Sequence, residues 1–295
     1  MRFGFAGHET FPFRYGWLKK AVDAVNREAE IFTADRAIVD LGVGKNMVQS
    51  IRHWGLATQI LGTREDRSLA VTPIGKSLLE KWDPYLEDPA SLWLIHWLLV
   101  TNCSRAGTWY IAFTRYPRPD LTKRQLFEFL VEFAERHELK VKPSTLSRDV
   151  DCFIRTYSPP TSGKLIVEDS FSCPLTELGL LHPLRDGESY QFSIGPKSTL
   201  PPEIVGYALF TFMATARHSR KTIALSDCLY GTESPGQVFK LDENSLIESI
   251  EALQSITAGA LEVDDTAGLK QIYCRREVDA TGLLRRYYIR GSGRK

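Results

Sequence analysis

No apolar run in this sequence is long enough to cross a bilayer: its most apolar stretch, Leu92 to Val100, is interrupted by His96 and covers only half a span. The N-terminus lacks the basic-then-apolar order of a signal peptide. The five cysteines, Cys103, Cys152, Cys173, Cys228 and Cys274, are odd in number, far apart and without a C-x-x-C pair, which argues against a disulfide framework and a zinc ribbon. Together these absences predict a cytoplasmic protein with reduced thiols and no membrane contact. The six histidines are scattered, with no H-E-x-x-H, and neither G-x-S-x-G nor any nuclease signature occurs. Gly42-Val43-Gly44-Lys45 is not a phosphate loop, because the G-x-x-x-x-G-K-[ST] spacing and a preceding strand are both missing. Charge of one sign is missing too: the net charge is only +1, so any polyanion must meet cations gathered locally.

What is present reads as a folded protein, since 43% apolar and 25% charged residues are ordinary globular usage. A chain of 295 residues suits two or three compact units. The best linker, Ser158-Pro159-Pro160-Thr161-Ser162-Gly163, sets the main boundary. The expected organisation is mainly α with small β (α+β): residues 1–88 a winged helix-turn-helix, 89–158 a helical middle region, and 159–295 an α+β domain with a basic tail.

The first segment carries the strongest signal. After the aromatic lead-in Gly7 to Tyr15, Trp17, Leu18, Ala21, Val22 and Val25 share one face of a helix over 16–26. Thr33 is placed as N-cap of the next helix, with Ala37, Ile38 and Leu41 inward and Gly42 at the left-handed C-terminal position. A third helix begins at Lys45 and buries Met47, Val48, Ile51 and Trp54. Two helices joined by a few residues around a glycine make the helix-turn-helix signature. Strands over 58–61 and 68–71 around a charged turn, then Thr72-Pro73 opening a helix, add the wing.

On the third helix, Lys45, Asn46, Gln49, Ser50, Arg52 and His53 are expected to face outward, and Arg64 and Arg67 lie on the wing. Asn and Gln pair two-pronged with adenine and Arg with guanine, while Lys holds a phosphate at a helix N-terminus. The same helices used only for protein contacts are the alternative. Glu65 and Asp66 dilute the charge of the wing.

Further on, helices are expected near 92–100, 123–138 and 143–157, the last with Leu146, Val150, Phe153, Ile154 and Tyr157 inward; a second helix-turn-helix is the other reading there. Strands over 164–167, 190–194, 261–263, 271–275 and 285–289, and helices over 203–215 and 244–257, complete the pattern, and a helix followed by such hairpins again allows a winged-helix-like C-terminal end. From Lys270 onward eight basic residues face two acidic ones. That strip reads either as a solvated strand face with a frayed end or as a phosphate-contacting strip. Candidate acidic groups for a metal, Asp35 and Asp40 at the turn and Asp264 with Asp265, rest on position alone and read more readily as caps, turn formers or solvated charges.

The chain resembles the SspB family of bacterial DNA phosphorothioation proteins. The likeness is carried by Gly7-His8-Glu9-Thr10-Phe11, by Leu41-Gly42-Val43-Gly44-Lys45-Asn46-Met47, by Cys173-Pro174-Leu175-Thr176-Glu177-Leu178-Gly179-Leu180 and by Asp265-Thr266-Ala267-Gly268-Leu269. The resemblance implies a part in replacing a non-bridging phosphate oxygen of DNA by sulfur, with this component engaging or nicking the DNA. It implies as partners an ATPase, an adenylating sulfurtransferase and a cysteine desulfurase. Nicking by hydrolysis would call for a divalent metal, Mg or Mn, and for an acid or base near the recognition helix. His8, Glu9 and Arg14 are the residues to inspect, although Glu9 capping the first helix or pairing with Arg14 is the structural alternative. The other functional reading is a non-catalytic winged-helix protein, an adaptor or a regulator.

Overall fold

A computed structural model describes residues 2–158, 173–216, 222–266 and 269–292. The chain forms two compact units, residues 1–192 and 193–295. The expected segments 1–88 and 89–158 both lie in the first unit, and 159–295 is divided between the two. The linker over 158–163 and the strand over 164–167 lie outside the described residues apart from Ser158.

In the first unit, α1 (Trp17–Arg27) buries the expected apolar face together with Ala24. Thr33 does not cap the next helix: residues Ile31–Thr33 form a 3-10 turn in which the Thr33 hydroxyl donates to the Glu30 carbonyl. The helix α2 (Ala37–Leu41) therefore starts later and is a single turn, with only Ala37 and Leu41, four apart, inward. Ile38 was expected inward but is 44% exposed, because the late start leaves it off that two-residue stripe. Gly42 ends the turn in the left-handed region (φ 62°), as its position required.

The helix α3 (Lys45–Ala57) follows, then an antiparallel hairpin of β1 (Leu61–Thr63) and β2 (Leu69–Val71), in which Leu61 faces Val71 and Thr63 faces Leu69. Asp66 Oδ1 accepts from both Ser68 N–H and its hydroxyl and so closes the hairpin loop. Thr72 then caps α4 (Pro73–Lys76) by accepting from Gly75 N–H, and the chain continues as a π-helical turn to Trp82.

The core of this unit is α5 (Pro89–Val100) and α6 (Gly107–Thr114), helices buried on every side and so without an amphipathic period. Around them lie β3 (Asp120–Thr122), α7 (Lys123–Arg136) with a complete capping box of Thr122 and Gln125, and α8 (Pro143–Tyr157). The α8 inner stripe is as expected, and Tyr157 and Phe153 join Phe113 and His96 in an aromatic cluster. Strands β4 (Leu181–Pro183) and β5 (Ser189–Phe192) complete an antiparallel sheet in the order β3-β5-β4, with Leu121 opposite Tyr190.

The second unit packs α9 (Pro202–Ala216) against α12 (Glu243–Ile256) and α13 (Ala280–Ser292). Its sheet has the order β6-β8-β7, from β6 (Thr222–Ala224), β7 (Leu261–Thr266) and β8 (Leu269–Cys274). Short helices α10 (Leu225–Tyr230) and α11 (Pro235–Phe239) connect it. The strand expected over 285–289 is instead part of α13, whose Leu283, Leu284 and Tyr288 are buried at helical spacing. The α+β class with dominant helix holds throughout. The five cysteines are unbridged.

Candidate nucleic-acid interface

Lys45, Asn46 and Gln49 are exposed on the first two turns of α3, and Arg64 and Arg67 are exposed on the hairpin. Arg52 is half-buried. Ser50 and His53 do not face outward: Ser50 is fully buried and His53 nearly so. The reason lies forty residues upstream, where the N-terminal loop crosses α3 and covers a second face of the helix. Ser50 Oγ donates to the His8 carbonyl at 3.0 Å, Trp54 Nε1 donates to the Phe11 carbonyl at 3.0 Å, and the His53 ring meets the His8 ring edge-on.

That loop is held by one buried carboxylate. Asp149, on α8, accepts from Ala6 N–H at 3.1 and 3.2 Å, from Thr108 Oγ1 at 3.0 Å and from His8 Nε2 at 2.9 Å. The Thr10 N–H donates to His8 Nδ1 at 3.1 Å, so the ring proton sits on Nε2 and His8 donates to Asp149. Four residues of the loop have positive φ: Ala6 (62°), Gly7 (91°), Glu9 (47°) and Thr10 (65°). Such backbone persists only where the surroundings over-determine it, and the Asp149 anchor with its three donors does so here. A Cβ on Gly7 would stand 2.5 Å from His53 Nδ1, so the loop can lie on the imidazole only as glycine.

Three hollows meet at Arg52. One lies between the hairpin and the chain before α2 and includes Arg67; one lies along α2 and includes Lys45 and Gln49. The third, of about 310 Å³, lies between the N-terminal loop and α3 and is lined by Arg2, Glu9, Gln49, Arg52, His53 and Arg105 among others. Burial, and then the neighbouring Arg105, holds Arg52 below the ordinary guanidinium range. Burial, reinforced by His8, Arg105 and Arg52, pushes His53 down to about 3.

Of the residues singled out for chemistry, His8 is buried in the anchor and Glu9 is exposed at the rim of the third hollow. Arg14 lays its guanidinium over the rings of Phe11 and Trp17, at 5.4 Å from each centroid. Gly16, with no side-chain cap, starts α1, so Glu9 does not cap it. Asp40 pairs with Arg36 at 3.2 Å, Asp35 lines the hollow that holds Lys45, and Asp264 lies on β7. Sequence reasoning passed over Arg2 and Arg105. Arg105 follows α5 in a short link to α6, and no periodicity marks a cation brought beside α3 by the fold.

In the C-terminal strip, much of the positive charge is engaged within its own unit. Lys270 pairs with Glu243 at 2.7 Å and Arg275 pairs with Glu262. Arg276 donates to the Thr257 and Ala258 carbonyls and Arg286 to that of Ile256, at the C-terminal end of α12. Arg285 and Arg290 are exposed on α13.

Residues 5–288 match the family described as protein of unknown function DUF4007, and the chain belongs to that family. It is also similar along nearly all its length to solved structures of SspB. One SspB crystal structure aligns with a TM-score of 0.87 at 30% identity, covering 97% of this chain and 88% of that one. A magnesium ion-bound SspB crystal structure aligns with the same TM-score and coverage at 29% identity. The membership in the SspB family of DNA phosphorothioation proteins implied by the sequence is thus borne out. A comparison with curated proteins gives no match. Among the described residues no helix is long and apolar enough to cross a membrane.

Proposed function

We propose that this protein is the DNA-engaging component of a phosphorothioate modification and defence system, and that α2, α3 and the β1–β2 hairpin act as a winged helix-turn-helix. The observation that carries this reading is the exposure of Lys45, Asn46 and Gln49 on the leading turns of α3, flanked by Arg64 and Arg67 on the hairpin. Lys45 opens the helix where its N-terminal amides favour a phosphate. Asn46 and Gln49 offer the paired donor and acceptor that read a base edge. The partners that follow from the family are an ATPase, an adenylating sulfurtransferase and a cysteine desulfurase, and the DNA-bound protein would bring them to the phosphate to be modified.

Strand nicking is the second reading, favoured by the magnesium ion bound in one SspB structure. Among the described residues, no three His, Cys, Asp or Glu side chains gather in a group that could hold a metal. Asp149, the best buried carboxylate near α3, already accepts from Ala6, His8 and Thr108. These residues do not fit a magnesium site, and no step through the metal is assigned.

Two measurements test the proposal. In duplex-binding titrations, Lys45→Ala lowers the slope of log affinity against log salt by about 0.9, and Asn46→Ala or Gln49→Ala relaxes base preference at a cost of about 1–3 kcal/mol. Unchanged binding in all three variants removes α3 from the DNA interface. Supercoiled plasmid incubated with the protein and Mg²⁺ or Mn²⁺, then with EDTA, decides nicking: no open-circular product leaves binding alone.

A further inference from the structure

The third hollow is built differently from the exposed face of α3. Its floor is the crossing of the N-terminal loop over the helix, its rim carries Arg2, Arg52 and Arg105, and Glu9 is the one acidic side chain that lines it. Among the described residues, Arg52 and Arg105 enter no ion pair with a carboxylate, and burial, then the nearby Arg105, holds Arg52 below the ordinary guanidinium range. Two uncompensated guanidinium groups in one hollow are costly unless an anion joins them. His53 lines the same hollow, and its Nε2 is buried without a hydrogen-bond partner among the described residues. His53 Nδ1 is the ring nitrogen turned toward Gly7, another residue of the lining. The loop itself is fixed by Asp149 in a backbone of positive φ, the kind of strain that accumulates where a ligand is clamped.

We propose that the hollow between the N-terminal loop and α3 is a seat for one backbone phosphodiester of DNA, gripped by Arg52 and Arg105 beside the His53 imidazole. The inference rests on the DNA-binding reading above and extends it to a site that the recognition helix alone does not supply. Gln49 lies on the wall of this hollow and also lines the hollow holding Lys45, so a duplex read by α3 would run its backbone past the opening. Guanidinium groups suit this task because they present forked donors to two phosphate oxygens at once. The volume of about 310 Å³ is ample for a phosphate group with its flanking sugar edges.

The test uses the full chain, wild type and with Arg105→Gln, Arg105→Lys or Lys45→Ala. Arg105 is exposed and lies outside α3, so its replacement leaves the fold and the reading helix in place. Duplex binding is measured from low to physiological salt, and inorganic phosphate is titrated while the His53 imidazole and Arg105 guanidinium signals are followed by NMR. The expected result has three parts. Phosphate moves the His53 signal in wild type and not in Arg105→Gln. Arg105→Gln lowers the log-log salt slope by about 0.9, and Arg105→Lys keeps the slope because a point charge still meets the phosphate. If Arg105→Gln leaves affinity and slope unchanged while Lys45→Ala loses one contact, the seat is overturned and the helix reading stands. If phosphate shifts His53 but the DNA slope does not respond, the hollow takes a free anion and the assignment to DNA is overturned. If neither variant alters DNA binding, both readings fall.

Discussion

His53 is an imidazole held uncharged inside a ring of other groups: His8 edge-on, Arg52 one residue before it, and Arg105 across the hollow. The unfolded chain takes up this proton near pH 6.5, whereas the folded protein does so only near 3. As pH falls, the unfolded state therefore binds the proton first, and stability rises with pH across that window. The contribution is complete above pH 6.5, erodes below it with a slope of up to about 1.4 kcal/mol per pH unit, and amounts to something on the order of 4 kcal/mol by pH 3. His53→Gln removes this share while keeping a polar side chain of similar reach. Denaturant midpoints measured from pH 7 to 4 should fall steeply in wild type and less so in the variant; parallel curves would mean that His53 titrates normally in the fold.

At the scale of elements, the N-terminal loop and α3 act as one piece, and Asp149 is the peg between them. Asp149→Ala leaves the Ala6 N–H, the His8 Nε2–H and the Thr108 hydroxyl without their acceptor, at a cost of about 3–5 kcal/mol for a buried hydrogen-bonded charge. Hydrogen exchange should lose protection at Ala6 and Thr10 first, and duplex affinity should drop although every exposed residue of α3 is intact. Protection that survives the substitution would show that the contacts of Ser50 and Trp54 hold the loop unaided. The same pair of elements marks how far the sequence could be read. The stripe of Val48, Ile51 and Trp54 was legible because it repeats at helical spacing, and Gly42 because a helix end needs a left-handed residue. The burial of Ser50 and His53 was not legible, since it comes from a loop far away in sequence whose contacts leave no period in α3. In α13 the aromatic pair Tyr287-Tyr288 with Ile289 favours strand by residue type, whereas the doublets Leu283-Leu284, Arg285-Arg286 and Tyr287-Tyr288 fit a helical period better than alternation. Packing on α9 chose the helix. Asp149 carried no signal either: it lies at the edge of the α8 inner stripe, three after Leu146 and four before Phe153, and nothing in that spacing announces the loop that comes to meet it.

For the molecule as a whole, a net charge of +1 gives no general attraction to a polyanion, so the proposed DNA affinity would have to come from cations in one place. The proposed interface takes them from Lys45, Arg52, Arg64, Arg67 and Arg105, which allow five phosphate contacts. In the second unit Lys270 and Arg275 face carboxylates, and Arg276 and Arg286 close the end of α12. The exposed Arg285 and Arg290 are then the described cations of that strip left for a phosphate. Five contacts predict a log-log salt slope of about −4.5, and each further cation that reaches DNA steepens it by about 0.9. Anisotropy titrations of one duplex between low and physiological salt give this number directly. Charge reversal at Arg64 with Arg67 should flatten the slope by about two contacts. Reversal at Arg285 with Arg290 should leave it unchanged. A slope that responds to Arg285 and Arg290 instead would move the interface to the second unit, and one near zero would end the case for an electrostatic grip on DNA anywhere in the chain.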